Sequence, residues 1–366
     1  MTQDKNNGKT PGAPGAAARP AGNILLRSRG YLYLTEFFAG MGVMAVELGA
    51  SRLMAPYFSS SQIVWTIIIS TIMIAMALGN LYGGKSADRN GDPDRLYLRL
   101  LIAAVWIAAI PAAGKYVILG ISGLLILTVS EHLLVIAAFA ACMAIFVFPC
   151  FLLGTVTPSL VKFAVDSLDD SGRTVGRLNA FNTIGSILGT FLPTFVTIPA
   201  VGTSVTFLIF SGVLLLLALV YFAAGRRRRT ACAAAAALFV LCTVLGNSDS
   251  FAFWEKDLSY EGESIYNYLQ VRDTDNSTIL STNVLFGVQS IRIKDDSLTG
   301  MYYDYAMAAP VLAGIHRAEA GKTQVTAHSS DGLSMLVLGM GTGTYAEQCA
   351  GYFADLDVKG VEIDRR

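Results

Sequence analysis

The sequence is short of charge. Only 15% of its 366 residues are Asp, Glu, Lys or Arg, against about a quarter in ordinary soluble domains, which argues against one large water-soluble globule. Cysteine is sparse too. Cys142, Cys150, Cys232, Cys242 and Cys349 form no CxxC pair and four of them lie in apolar runs, so they read as small buried hydrophobes rather than disulfides or metal ligands. The histidines His132, His316 and His328 have no helical or metal-site spacing to one another, so neither a catalytic histidine cluster nor a metal site is expected. Acidic and basic residues balance at 27 each, and no global field points to nucleic acid.

What the chain has instead is apolar length. Hydrophobic residues make up 53% of it, in runs of roughly 17–25 residues, the length that spans a bilayer core. Seven spans are expected, at 31–54, 63–84, 96–113, 132–157, 178–199, 204–224 and 230–246, forming a membrane domain over 31–248. The apolar stretch 117–130 is too short for a crossing of its own and reads as re-entrant or interfacial. Residues 1–30, rich in Gly, Pro, Ala and polar residues, are expected to be disordered.

Cations write the topology. Arg19, Arg27 and Arg29 precede the first span, and Lys85, Arg89, Arg95 and Arg99 follow the second. Lys162, Arg173 and Arg177 follow the fourth, and arginines 226–229 follow the sixth. All fall on one side, which should be cytoplasmic, giving a multi-pass cell-membrane protein with a cytoplasmic N-terminus. Taken literally, the last span places everything after it outside the cytoplasm. A re-entrant 230–246 would keep it inside, and the side of the soluble part stays open.

After residue 249 the texture changes. Alternating stretches at 266–271, 278–280 and 288–293 read as short strands, giving a β-rich subdomain over 249–315 that ends in a Tyr-rich helical piece (Tyr302, Tyr303, Tyr305) before Pro310. A polar linker is expected over 316–332. Residues 333–366 then read as strand, glycine turn, helix and strand. The expected fold class is a multi-span α-helical membrane domain, a small β-subdomain, and the first β-α-β part of a Rossmann-like α/β fold, truncated after its second strand.

Two constellations carry candidate chemistry. Gly339-x-Gly341-x-Gly343 follows an apolar strand directly, and Glu362 lies nineteen residues beyond the last glycine. Such glycines let the backbone approach a ligand at a helix N-terminus, and an acid ending the second strand can accept both hydroxyls of a ribose. The spacing does not separate a dinucleotide from an S-adenosyl compound. In the first span, Glu36 and Glu47 are eleven residues apart and so close to one helical face. They read either as a cation or proton site or as part of a structural ion pair, for which Glu47 and Arg52 are the partners. The stripe Asn182-Thr183-x-Gly185-Ser186-x-x-Gly189-Thr190 is the pattern of close helix packing.

These residues, taken together, carry a resemblance. Glu47-Leu48-x-x-x-Arg52-Leu53-x-Ala55-Pro56-Tyr57-Phe58, Trp65, Gly83-Gly84 with Asp88-Arg89, Pro158 and the 182–190 stripe are similar to the membrane-fused spermidine synthase-like proteins. In that family a major-facilitator-like helical domain precedes a polyamine aminopropyltransferase domain. The soluble part resembles it through Glu263-Ser264-x-Tyr266, Gln289-Ser290, Tyr302, the glycine turn and Val361-Glu362-Ile363-Asp364.

The resemblance implies aminopropyl transfer from decarboxylated S-adenosylmethionine, a cosubstrate, to a diamine such as putrescine, with no prosthetic group and no metal. It implies Glu362 as the ribose acid, Gln289 as a nucleoside contact, and Tyr302, Tyr303 and Thr342 in the substrate pocket. Thr342 stands where the family's soluble members carry an amine-binding Asp, and Tyr303 where they carry His, so a different acceptor stays open. The family's catalytic and adenine-binding Asp residues are expected beyond Arg366, so this chain alone is expected to be inactive. The alternatives are a polyamine or cation transporter or binding module, and an S-adenosylmethionine-dependent methyltransferase. The expected partners are the lipid bilayer and a small diamine, with an oligomer left open.

Overall fold

A computed structural model of the chain describes residues 28–126, 132–165, 171–246, 250–255, 257–284, 287–295, 298–319, 333–353 and 356–364. Of the disorder expected over 1–30, residues 1–27 lie outside them while Arg29 and Gly30 open the first helix, and of the linker expected over 316–332, residues 320–332 lie outside them.

Among the described residues, six helices are long and apolar enough to cross a membrane. They comprise α1 (Arg29–Phe58), α2 (Gln62–Arg89), α3 (Pro93–Ile126), α4 (His132–Gly154) with its short continuation α5 (Val156–Ala164), a long fifth helix, and α8 (Arg229–Gly246). The fifth, Ser171–Gly225, is 55 residues long, near twice what one crossing needs. It consists of α6 (Ser171–Leu192), a π-helical turn Pro193–Thr197, and α7 (Ile198–Gly225). The chain reverses at Gly202, whose φ of +80° breaks the helix, and this break sits between the expected spans 178–199 and 204–224. The stretch 117–126 is no separate re-entrant piece, because it simply prolongs α3 through Pro111. Its apolar continuity lets the helix run on past Pro111, Gly120 and Gly123.

Helix α1 packs along α6 and α7, while α2 lies on α4, and α3 touches α4, α7 and α8. The small-residue stripe brings α1 and α6 into backbone contact: a Cβ at Gly185 would overlap the carbonyl oxygen of Phe37, and one at Gly189 that of Met41. Small residues at a helix seam are how membrane helices gain dispersion contacts when no hydrophobic effect drives them together.

The two ends of the bundle differ. At one, Lys162 pairs with Asp88 at 3.0 Å, Arg227 with Asp94 at 3.2 Å, and Arg99 donates to Ser86. The opposite end carries the β-strands. There Tyr57 donates to the carbonyl of Phe251 at 3.0 Å, buried Lys115 on α3 to that of Ser250 at 3.0 Å, and Val284 N–H to that of Pro56 at 2.7 Å.

The β-subdomain is a four-stranded antiparallel meander in the order β1 (Leu258–Glu263), β2 (Tyr268–Asp273), β3 (Ser277–Ser281), β4 (Ser290–Ile293). Strand β1 was not among the expected strands, because LSYEGE is a polar edge with little apolar alternation. Helices α9 (Tyr302–Ala306) and α10 (Ala308–Glu319) follow, the second running into what was expected to be linker. A separate parallel pair, β5 (Ser334–Leu338) and β6 (Asp357–Val361), brackets α11 (Thr344–Tyr352).

A Gly185→Leu substitution should lower the stability of the bundle by about 1–3 kcal/mol, the range of an overpacked seam. Thermal unfolding in detergent reads this directly, and a variant as stable as the parent would contradict the α1–α6 contact.

Candidate functional site

Strand β5 ends in the glycine turn. Gly339, Gly341 and Gly343 take φ of +76°, +56° and +84°, conformations costly for any residue with a Cβ. None of the three would meet a heavy atom within 4 Å with a Cβ added, so the turn presents open backbone, and Gly343 is the N-cap of α11. The parallel register sets Leu338 beside Val361, and the N–H of Gly339 reaches the carbonyl of Val361 at 2.9 Å. That pairing delivers the next residue, Glu362, to the turn. Its Oε2 accepts from Gly341 N–H at 2.7 Å, and its Oε1 from the N–H groups of Ile363 and Asp364 at 2.8 and 3.1 Å. Hydrogen bonding by these backbone amides, Gly341 foremost, holds the carboxyl below the ordinary Glu range.

The same turn is pinned to the meander. The hydroxyls of Ser290, Thr342 and Thr344 form one cluster, Ser290 to Thr344 at 2.7 Å and Thr342 to Thr344 at 3.1 Å, with Ser290 also bonded to Thr342. Gln289 precedes Ser290 on β4 and is exposed beside this cluster. Thr342 is thus engaged, rather than projecting a free group. The two tyrosines differ as well. Tyr303 is buried and its oxygen accepts from Ile291 N–H at 3.0 Å, which ties α9 to β4, and burial raises its pKa. Tyr302 is exposed and meets Tyr303 edge to face at 4.9 Å.

The polar residues expected in the first span separate. Glu36 is buried and accepts from Thr157 and Asn182. Glu47 is half-buried farther along α1, so the two acids form no joint site. Arg52 does not turn back to Glu47. It donates to the carbonyl of Ser264 at 3.4 Å and to that of Ile265, because the β1–β2 turn offers it bare carbonyls at the end of the helix.

That turn is gripped from a second side. The buried carboxylate of Glu263 accepts from the N–H and the hydroxyl of Thr203, each at 2.7 Å. Thr203 follows Gly202, so the break that reverses the chain also frees an amide for the acid. Ser264 donates its hydroxyl to Asp364, two residues past Glu362. Beside Arg52 and Glu263 lies a cavity of about 280 Å³, lined also by Trp65, Tyr266, Asn267 and Asn283 among others. Nothing in local sequence pairs Thr203 with Glu263 or Ser264 with Asp364. Among the described residues no group of three His, Cys, Asp or Glu is placed to hold a metal ion.

Comparison with known proteins gives one informative match. A probable polyamine aminopropyl transferase of Bifidobacterium longum (strain NCC 2705) is 51% identical over 129 residues. Part of this chain is similar to that transferase. The match covers 35% of the chain and 25% of the relative, so the chain spans about a quarter of the length of the curated relative it matches. No family model matches the chain, and no solved structure does.

Glu362 makes a pH prediction. A carboxyl depressed in the folded state contributes stability that is present above its unfolded pKa and lost as pH falls through its folded value. Protection of the Gly341 amide, its exchange rate measured against the intrinsic rate at each pH, should therefore fall as acid protonates Glu362, and in Glu362→Gln it should lose this acid-side dependence. An amide whose exchange ignores Glu362→Gln would contradict the bond. Separately, Thr203→Val removes one hydrogen bond to a buried carboxylate and should cost about 1.5–3 kcal/mol, read as a lowered Tm.

Proposed function

We propose that this chain anchors a spermidine synthase-like aminopropyltransferase in the membrane and supplies its nucleoside-binding turn, with β5, α11 and β6 as the opening of a Rossmann-like unit. One observation carries the reading: three left-handed glycines at a helix N-terminus, with the acid of the adjoining parallel strand bonded to the middle one. Backbone without side chains admits a nucleoside closely, and the α11 dipole adds a positive end to the crevice. Glu362, already ionised and held by backbone amides, is ready to accept two ribose hydroxyls. Decarboxylated S-adenosylmethionine is the cosubstrate that the partial match to a polyamine aminopropyl transferase favours. Gln289, next to the hydroxyl cluster, is the proposed second nucleoside contact, and Tyr302, Tyr303 and the turn at Thr342 border the acceptor.

In the proposed reaction a neutral amine nitrogen of the acceptor attacks the aminopropyl carbon bonded to the sulfonium. The new N–C bond forms as the C–S bond breaks, its electron pair neutralises the sulfur, and the nitrogen then sheds a proton. Such a step depends on holding the two reactants in line. Binding and orientation are the roles assigned to the residues above, and none of them is assigned the proton transfer.

Thr342 favours a second reading. Its hydroxyl is consumed by Ser290 and Thr344, so this position supplies no charge to select a diamine, and an S-adenosylmethionine-dependent methyltransferase would fit the same turn. The basic end of the bundle is proposed to face the cytoplasm, which places the β-subdomain on the other side.

Calorimetry on the full chain in detergent tests the nucleoside site. Decarboxylated S-adenosylmethionine should bind, and Glu362→Ala should weaken it at least about tenfold, the cost of losing one charged hydrogen-bond acceptor. Preference for S-adenosylmethionine itself would favour the methyltransferase reading. Equal binding by parent and variant would end both.

A further inference from the structure

Glu36 lies deep in the seam of the bundle and is 0% exposed. Its Oε1 is satisfied twice, by the hydroxyl of Thr157 on α5 at 2.6 Å and by the amide of Asn182 on α6 at 2.9 Å. Its Oε2 is buried and has no hydrogen-bond partner among the described residues. One helical turn nearer the basic end, the Tyr33 hydroxyl is buried without a partner as well, its ring stacked on Phe181 beside Asn182 at 5.1 Å. The seam is therefore polar but unmet at two atoms of α1. It cannot relax by widening cheaply, because the backbones of α1 and α6 already touch at Gly40 and Gly185.

A bare carboxylate oxygen with no partner inside a membrane domain costs several kcal/mol. Two remedies exist: a proton on the oxygen, or a bound cation. A metal ion needs several oxygen ligands around it, whereas the groups bonded to Glu36 are one hydroxyl and one amide, both donating to the other oxygen. The charged groups on the helices packed against α1 stay away from it. Lys162 on α5 is engaged with Asp88 of α2, and Lys85, Arg89, Arg173 and Arg177 are exposed at the basic end. Tyr97 on α3 meets Thr35, Tyr221 on α7 meets Asp94, and on α1 Glu47 and Arg52 lie toward the opposite end. Cys142 and Cys150 of α4 are buried thiols.

We propose that Glu36 is a proton-binding site of the bundle, carrying a proton on Oε2 while α1, α5 and α6 are in contact and releasing it only when they part. Thr157 and Asn182 are positioning residues that hold the acid's carbonyl oxygen. The site rests on the helices alone and stands apart from the transferase reading, so either can fail without the other. A protonated carboxyl couples helix contact to proton uptake, the physical basis of proton-linked movement in membrane bundles.

Infrared spectroscopy of the full chain in lipid nanodiscs tests it. At neutral pH the parent should show a free-acid carbonyl band that shifts in deuterium oxide, is absent in Glu36→Gln and persists in Glu47→Gln. A spectrum without that band, or a band surviving Glu36→Gln, overturns the proposal. Should Glu36→Gln not fold, Asn182→Ala removes one donor to the carbonyl and must shift the same band, and an unmoved band overturns the assignment to Glu36. A cation makes the opposite prediction: a Tm raised by sodium chloride over choline chloride and indifferent in Glu36→Gln would show a bound ion in place of the proton and overturn the proposal. Equal melting in both salts supports it.

Discussion

Helix α1 holds the molecule together across its two halves through the β1–β2 turn. Arg52, near the far end of that helix, donates to the carbonyls of Ser264 and Ile265, and Thr203 closes on Glu263 from the other side. Ser264 hands the connection on to Asp364, whose neighbour Glu362 faces the glycine turn. Three residues of one hairpin turn, Glu263, Ser264 and Ile265, thus set where the crevice stands relative to the bundle. An ionised side chain bonded to backbone carbonyls in a half-buried place is stronger than its surface equivalent, which suits a joint that must not swing.

The same helix organises the bundle. Gly185 and Gly189 of α6, with Gly40 of α1, line the seam between these helices, so backbones approach closely enough for Asn182 to reach Glu36, and the far end of α1 is buried against Phe251 and Val284. The cationic end of the bundle is closed by ion pairs such as Arg227 with Asp94, backed by the stacked rings of Tyr97 and Tyr221 at 3.8 Å. Charge, closely packed glycines and the β-strands therefore occupy different levels along one axis, and the bundle has a polarity before any function is assigned to it.

Much of this was legible in the chain. Apolar length gave the helices, and the break at Gly202 fell between two expected spans because Pro199, Gly202, Thr203 and Ser204 cluster there and interrupt the apolar run. The glycine turn and Glu362 were readable together, since a parallel β-α-β unit returns its second strand beside its first at a predictable spacing. What escaped was long-range. The sequence suggested a local Glu47–Arg52 pair, yet Arg52 found carbonyls more than two hundred residues away. Strand β1 carried too little alternation to be seen, and α3 and α10 ran past the ends that apolar content alone suggested. Thr342, Ser290 and Thr344 are ordinary hydroxyl residues until folding gathers them. Tertiary partners of this kind leave no periodic trace.

The central claim is that the crevice at 339–343 and 362 takes an adenosyl ligand while fastened to the bundle through Ser264 and Arg52. Hydrogen exchange followed by mass spectrometry on the full chain, with and without decarboxylated S-adenosylmethionine, tests both parts at once. Ligand should slow exchange in peptides covering 339–343 and 361–364, with a smaller slowing at 263–266, and leave α8 unchanged. Protection that falls elsewhere, or none at all under saturating ligand, would contradict the account.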